Sequence, residues 1–201
     1  CNSSVSTDNS LGFCGIRNTD LVAPASSDNC GIATVTNNAP FTLSLGITSV
    51  IWTVTDVNGN SETCTQNITV NDTELPAITC PATVTVSADA GSCEATGVLL
   101  GNPTTTDNCG IASITNDASI SYVVGNTTVT WTSTDTSGNF ATCVQIVTVT
   151  DDELPTITCP IDVTVNADAG SCSATGVNLG TPVVADNCSV DVVTNDAPSS
   201  F

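Results

Sequence analysis

VGNTTVTWTSTDTSGNFATCVQIVTVTDDELP, residues 124–155, decides the fold. Apolar residues alternate with Thr and Ser along TVTWTSTD (128–135) and again along VQIVTVTD (144–151). That period of two belongs to strands with one face in a core and the other toward water. Thr and Val dominate both runs, and their branched Cβ atoms suit a pleated strand. DTSGN (135–139) lies between them as turn chemistry, so the stretch reads as a hairpin of two long strands. Val129, Trp131 and Ser133 share one face of the first strand, which makes Trp131 a core anchor in preference to a ligand platform.

Outward from this hairpin, the chain repeats itself every 79 residues. Cys1, Cys14, Cys30 and Cys64 recur as Cys80, Cys93, Cys109 and Cys143, and then Cys159, Cys172 and Cys188 follow. Trp52 and Trp131, Gly59 and Gly138, and Pro76 and Pro155 keep the same step. A fixed period of this length marks one structural unit copied in tandem. The expected domains are 1–72, which lacks its start, 73–151, which is complete, and 152–201, which is partial. The 201 residues therefore read as a window on a longer repetitive protein.

Within the complete unit, strands are expected at Ile78–Ser87, Cys93–Leu99, Ile111–Asn116, Ser121–Val124, Thr127–Thr134 and Ala141–Thr150. Turn signals such as DVNGN (56–60) and ADAG (88–91 and 167–170) separate the runs, and no segment has helical periodicity. Many short strands within 80 residues indicate an all-β sandwich.

Twenty acidic residues face a single Arg17, with no Lys and no His. Nothing here could neutralise phosphate, so nucleic acid and anionic membrane surfaces are excluded as partners. Divalent cations are the natural counterions. Eleven cysteines argue for an oxidising compartment, and the absence of His and of any C-x2-C pair argues against a zinc site. The register accounts for Cys1 more simply than lipidation does, since a cysteine is due at that phase. No apolar run has the length of a membrane span, so no direct membrane insertion is expected in these residues.

DTELPAITCP (72–81), TTTDNCGIASITN (104–116) and the hairpin stretch together resemble the HYR, or hyalin repeat, module. The likeness runs through the whole chain, with two departures: Asn2 where Pro is expected after Cys1, and DNCSV where the other units have DNCGI. The resemblance implies tandem immunoglobulin-like (fibronectin III-like) β-sandwiches in an extended array. It also implies an extracellular or cell-surface location and a role in adhesion and surface assembly. Tandem copies of this kind suggest a bacterial extracellular surface protein.

Four cysteines per unit allow three pairings, and sequence does not choose between them. First and last strands of such sandwiches lie side by side, which favours Cys1–Cys64 and Cys80–Cys143. Cys14–Cys30, Cys93–Cys109 and Cys172–Cys188 are then the expected short-loop pairs. Cys159 is left to a partner elsewhere.

VNDTELP (70–76) and VTDDELP (149–155) join consecutive units with hardly a spare residue, and Pro76 and Pro155 stiffen the exits. Two readings stand for Asp72, Glu74, Asp151, Asp152 and Glu153: calcium ligands clamping the joints, or solvated acidic turns. Calcium is the only cofactor under consideration, and it needs six to eight oxygens. The recurring pairs Asp28-Asn29, Asp107-Asn108 and Asp186-Asn187 read as Asx turns, with a metal or sugar role as the sharper alternative. DVNGN and DTSGN read as hairpin turns. Glycosylation sequons occur at Asn2, Asn67, Asn71 and Asn126.

Without His or Lys the usual base-activated nucleophiles are missing, so the chain is not expected to be an enzyme. The expected function is a non-catalytic structural or adhesion repeat, forming the shaft of a surface adhesin or the body of an extracellular filament. Its partners would be copies of itself in fibres, or surface ligands, glycan or protein. The alternative is a carbohydrate-binding or spacer module of a larger secreted enzyme.

Overall fold

The computed structural model describes residue 1 and residues 4–201. Every regular element of those residues is a strand except one 3-10 turn at Asn18–Asp20. The first repeat holds β1 (Val5–Asp8), β2 (Ile16–Arg17), β3 (Ile32–Asn37), β4 (Thr42–Leu43), β5 (Gly46–Asp56) and β6 (Ser61–Asn71). One sheet runs β1-β6-β5-β3, and β2 pairs with β4 in a second. β1 and β6 are parallel neighbours, so first and last strands do lie side by side.

The two sheets close over one apolar cluster. Ile16 and Leu43 come from the small sheet, and Val50, Trp52, Ile68 and Val70 from the large one. Alternation along β5 and β6 makes this possible, because residues two apart face the same side. The indole of Trp52 donates to Gln66 Oε1 at 3.0 Å, and Trp131 repeats the bond with Gln145 at 3.0 Å, both buried. An orphaned buried N–H costs about 1–3 kcal/mol. Gln145→Ala is therefore expected to destabilise by about 2 kcal/mol in urea unfolding.

The second repeat holds β7 (Ala77–Thr79), β8 (Val84–Ser87), β9 (Glu94–Thr96), β10 (Thr104–Thr106), β11 (Ile111–Asn116), β12 (Ser121–Val123), β13 (Gly125–Asp135) and β14 (Phe140–Thr150). Its main sheet is β11-β13-β14-β8, with β9–β12 and β7–β10 as smaller pairs. The predicted strand over Ile78–Ser87 is corrected here to two strands. Pro81 has no N–H to donate, and across it the chain changes partner, from antiparallel pairing with β10 to parallel pairing with β14. On β13 the residues Val129, Trp131, Ser133 and Asp135 are all buried, as the alternation required, and Tyr122 is buried too.

In the third repeat β15 (Thr156–Thr158) pairs with β16 (Val183–Ala185). Residues 163–166, the counterparts of β8, form no strand. β8 exists through its ladder with β14, whereas these residues have no such partner in the described chain.

The chain divides into two compact units. One comprises Cys1–Pro81, Gly101–Asp117 and Thr130–Gln145, and the other Ala82–Leu100, Ala118–Val129 and Ile146–Phe201. The first holds the whole of the first repeat with part of the second, and the second holds the rest of the second repeat with the third. No helix among the described residues is long and apolar enough to cross a membrane.

Candidate metal centre

Three carboxylates from three segments converge in the first compact unit. Asp72 leaves β6 at the end of the first repeat, Asp107 begins the DNCG loop of the second, and Asp135 ends β13 at its hairpin turn. One oxygen of each lies within 4.8 Å of the others. Asp72 is 8% exposed and Asp135 is 1% exposed.

Local chain chemistry sets each group. Asp107 Oδ2 accepts the N–H groups of Cys109 at 2.8 Å and Gly110 at 2.9 Å, the Asx turn read from sequence. Its other oxygen, Oδ1, is buried without a hydrogen-bond partner, and so is Oδ1 of the adjacent Asn108. Asp135 Oδ1 accepts from the backbone of Ser137 at 2.8 Å and Asn139 at 2.9 Å. Its Oδ2 accepts from the Asn139 side chain at 2.8 Å. The turn closes through Gly138, whose φ of 94° suits glycine. Asp72 takes Ser137 Oγ–H on one oxygen at 3.2 Å, while Asn139 Nδ2–H donates to its backbone carbonyl at 3.1 Å.

Burial pushes the Asp135 carboxyl up, but hydrogen bonds from the Asn139 side chain and the backbone of Asn139, Ser137 and Gly138 outweigh it and hold the group below its ordinary value of 3.8. It is therefore a carboxylate at neutral pH. Carboxylates gathered within 4.8 Å repel one another when ionised. The chain's one basic side chain, Arg17, is engaged elsewhere, with Cζ 5.9 Å from the ring centroid of Phe41. Hard oxygens, a buried orphan acceptor and uncompensated negative charge fit a divalent cation of the calcium type.

Of the expected linker acids, only Asp72 joins this cluster. Glu74 Oε2 instead accepts the Gly12 N–H at 2.8 Å, and Glu153 Oε2 accepts that of Gly91 at 2.8 Å. Asp152 takes the hydroxyls of Ser87 and Thr150. Asp151 holds the side chain of Asn187 at 3.2 Å, and Asn187 Oδ1 is a further buried oxygen without a partner. Asp107, read as an Asx turn with a metal role as the alternative, and Asp135, read as a hairpin turn, are the other two members of the cluster, and their meeting with Asp72 is what that reading missed. Their recurrence at constant phase, Asp28/Asp107/Asp186 and Asp56/Asp135, was the available signal.

Two of the four disulfides span consecutive repeats. Cys1 bonds Cys64 and Cys80 bonds Cys143, each 63 residues apart. The expected short-loop pairs Cys14–Cys30, Cys93–Cys109 and Cys172–Cys188 are corrected: Cys14 bonds Cys109 and Cys93 bonds Cys188, each 95 residues apart. The reason is distance. Val57 N–H donates to Gly31 O at 3.2 Å, which puts the Cys30 loop at the start of β6. Asn9 N–H donates to Asn71 O at 2.8 Å, which puts the Cys14 loop at its end. A strand of 11 residues separates them by roughly 30 Å, and a disulfide spans Cα atoms no more than about 7 Å apart. Asn67, Asn71 and Asn126 are exposed, whereas the sequon at Asn2 lies outside the described residues.

Residues 71–149 match the HYR domain family. The chain is 34% identical over 198 residues to hyalin of Strongylocentrotus purpuratus, covering 92% of this chain and 16% of that protein. It is 33% identical over 162 residues to hyalin of Lytechinus variegatus, covering 75% of this chain and 30% of that one. The chain thus spans less than a third of either relative, and these sea-urchin proteins lend no support to the bacterial setting expected above. Among solved structures, the chain is similar to the extracellular cadherin domains 1–4 of protocadherin gamma B7. That likeness has 14% identity, 92% of this chain, 58% of that one and a TM-score of 0.40. Drosophila N-cadherin EC1-4 is similar at 12% identity, 74% of this chain, 48% of that one and a TM-score of 0.37.

Proposed function

We propose, from the match of residues 71–149 to the HYR domain family, that this chain is a non-catalytic adhesion-type repeat protein whose joints are clamped by calcium. Four disulfides and the HYR domain belong to an extracellular or cell-surface setting. The repeats, taken as 1–72, 73–151 and 152–201, would serve as the shaft of a surface adhesin or the body of a filament. Partners would be further copies or surface ligands. One observation carries this reading: Asp72, at the end of one repeat, meets Asp107 and Asp135 of the next. A cation held there joins two repeats, as the Cys14–Cys109 bridge does covalently. Asp72, Asp107 and Asp135 would hold the ion, which supplies charge neutralisation rather than chemistry. The sugar-platform alternative is disfavoured, because Trp52, Trp131 and Tyr122 are all buried and the exposed aromatic side chains are phenylalanines, without a polar edge.

Electron microscopy of the native material, first in calcium and then in EDTA, tests the proposal. Filaments with an axial spacing tied to the 79-residue repeat, slackening in EDTA, are expected. Flexible chains indifferent to EDTA would overturn it.

A further inference from the structure

Asn58 is the one asparagine of the chain that glycine follows; each of the others precedes a residue with a side chain. It sits with Gly59 at the exposed tip of the β5–β6 hairpin, within the DVNGN turn. Asp56 Oδ1 accepts the Asn58 N–H at 2.8 Å, and Asp56 O accepts the Gly59 N–H at 3.2 Å, the closing bond of a β-turn. Gly59 has a φ of 89°, which suits glycine, and apart from its chain neighbours a Cβ there would meet no atom within 4 Å. The side-chain amide of Asn58 makes no hydrogen bond among the described residues, whereas that of Asn60 is held by Asp56 Oδ2 at 2.8 Å. The Asn58 side-chain carbonyl is thus open to solvent and lies beside an unshielded peptide nitrogen.

We propose that Asn58 is a self-modification site: it loses ammonia through a ring closed with Gly59 and becomes isoaspartate or aspartate, at a rate set by the opening of this turn. Asparagine is among the thermolabile side chains, and a following glycine leaves the attacking nitrogen without a Cβ to obstruct it. In the closed turn the Gly59 N–H is engaged with Asp56 O, so the nitrogen must leave that bond before it attacks. Opening an exposed turn costs far less than global unfolding, so the site reacts in the folded protein. The modification goes beyond the calcium reading and does not depend on it.

The Gly59 nitrogen, losing its proton, forms a bond to Asn58 Cγ. The Cγ–Nδ2 bond breaks, and Nδ2 departs with that proton as ammonia, leaving a succinimide. Water then opens the ring at Cγ to give aspartate, or at the backbone carbonyl to give isoaspartate, whose main chain runs through the former side chain. Both products add a carboxylate two residues from Asp56, and isoaspartate lengthens the turn by a methylene. The Gly59 N–H then no longer meets Asp56 O as it does now, and the tip of the hairpin loosens. Ser137 holds the phase of Asn58 in the second repeat, with its N–H on Asp135 Oδ1 at 2.8 Å and the Gly138 N–H on Asp135 O at 3.4 Å. That turn has the same frame but no amide to lose at this position, so the two hairpins age unequally.

The test incubates the 201-residue chain for weeks at mildly alkaline pH, in buffer and in urea, and maps its peptides by mass spectrometry. Conversion of amide to acid is expected at Asn58, with isoaspartate revealed by methyl transfer from S-adenosylmethionine through an isoaspartyl methyltransferase. The other asparagines should remain amides over the same period. Conversion should be at least about tenfold faster in urea, where the turn is open throughout. Asn58→Ser, which gives the first turn the residue of the second, should accept no methyl groups and keep a near-identical urea midpoint. An intact amide at Asn58 in the folded chain, when the unfolded chain converts, would overturn the proposal. So would equal rates in buffer and urea, or equal conversion at asparagines that glycine does not follow.

Discussion

Replacing Cys14 and Cys109 together by serine lowers the stability of the first compact unit by about 4 kcal/mol, one of the largest losses expected from a conservative change in this chain. The bridge closes a separation of 95 residues. Constraining the unfolded chain over about that length is worth about 4–5 kcal/mol in the loop-entropy account, and native bridges lost from small extracellular domains cost about 2–5 kcal/mol. The double substitution leaves no stray thiol to exchange with Cys30. Detection is favourable, because both tryptophans, Trp52 and Trp131, lie in this unit, while the sole tyrosine, Tyr122, lies in the other. With urea slopes of about 1–3 kcal/mol per molar, the tryptophan transition should fall by roughly 2 M. Removing Cys93 and Cys188 instead should move the tyrosine signal and leave the tryptophan transition nearly in place. A shift below about 0.5 M in the tryptophan transition of the first variant would mean that the bridge constrains little.

That bridge also marks where reading from sequence stopped. Strand alternation is local, so β5, β6, β13 and β14 and their buried faces follow directly from period two along Thr/Val runs. The turns DVNGN and DTSGN were equally legible, since Asp and Gly carry their geometry themselves. Pairings that stay within one repeat, such as Cys1 with Cys64, follow from first and last strands being neighbours. Cys14 with Cys109 does not, because it depends on which loops meet at a joint. Side chains there are brought together by the short run from Asp72 to Pro81, and no spacing rule along the chain encodes that encounter. The meeting of Asp107 and Asp135 with Asp72 was hidden for the same reason. Each has a sufficient local duty in its own turn, and that duty masked the second one, which exists only when Asp72 arrives.

Asp135 and Asp56 make the second large prediction separable from turn stability. Asp56 sits at the equivalent turn and accepts Asn58 N–H at 2.8 Å, Asn60 N–H at 2.8 Å and the Asn60 side chain at 2.8 Å. It has the same hydrogen bonds as Asp135 but is not one of the three clustered carboxylates. Calcium at about a hundred times its dissociation constant stabilises the folded form by about 2.7 kcal/mol. For a unit of this size that raises the melting midpoint by on the order of 10 °C. Asp56→Asn should keep this full calcium shift, and Asp135→Asn should abolish it. In EDTA the order reverses in part: Asp135→Asn removes one of the three repelling charges, so its deficit against wild type should shrink. The pH dependence follows from the same groups. Hydrogen bonds, led by the Asn60 side chain, hold the Asp56 carboxyl below its usual 3.8, and Asp135 is held low as well. A group with a depressed folded pKa contributes its stability above the unfolded value and loses it as pH falls through the folded one. The calcium shift should therefore persist at pH 5 and fade as the pH drops below about 4, where protons compete for the same oxygens. Differential scanning calorimetry of the three proteins, with and without calcium at pH 7 and pH 3.5, decides it. A calcium response in Asp135→Asn equal to that of wild type would remove the ion from this joint and leave the Cys14–Cys109 bridge and the hydrogen bonds of Ser137 and Asn139 to Asp72 as its links.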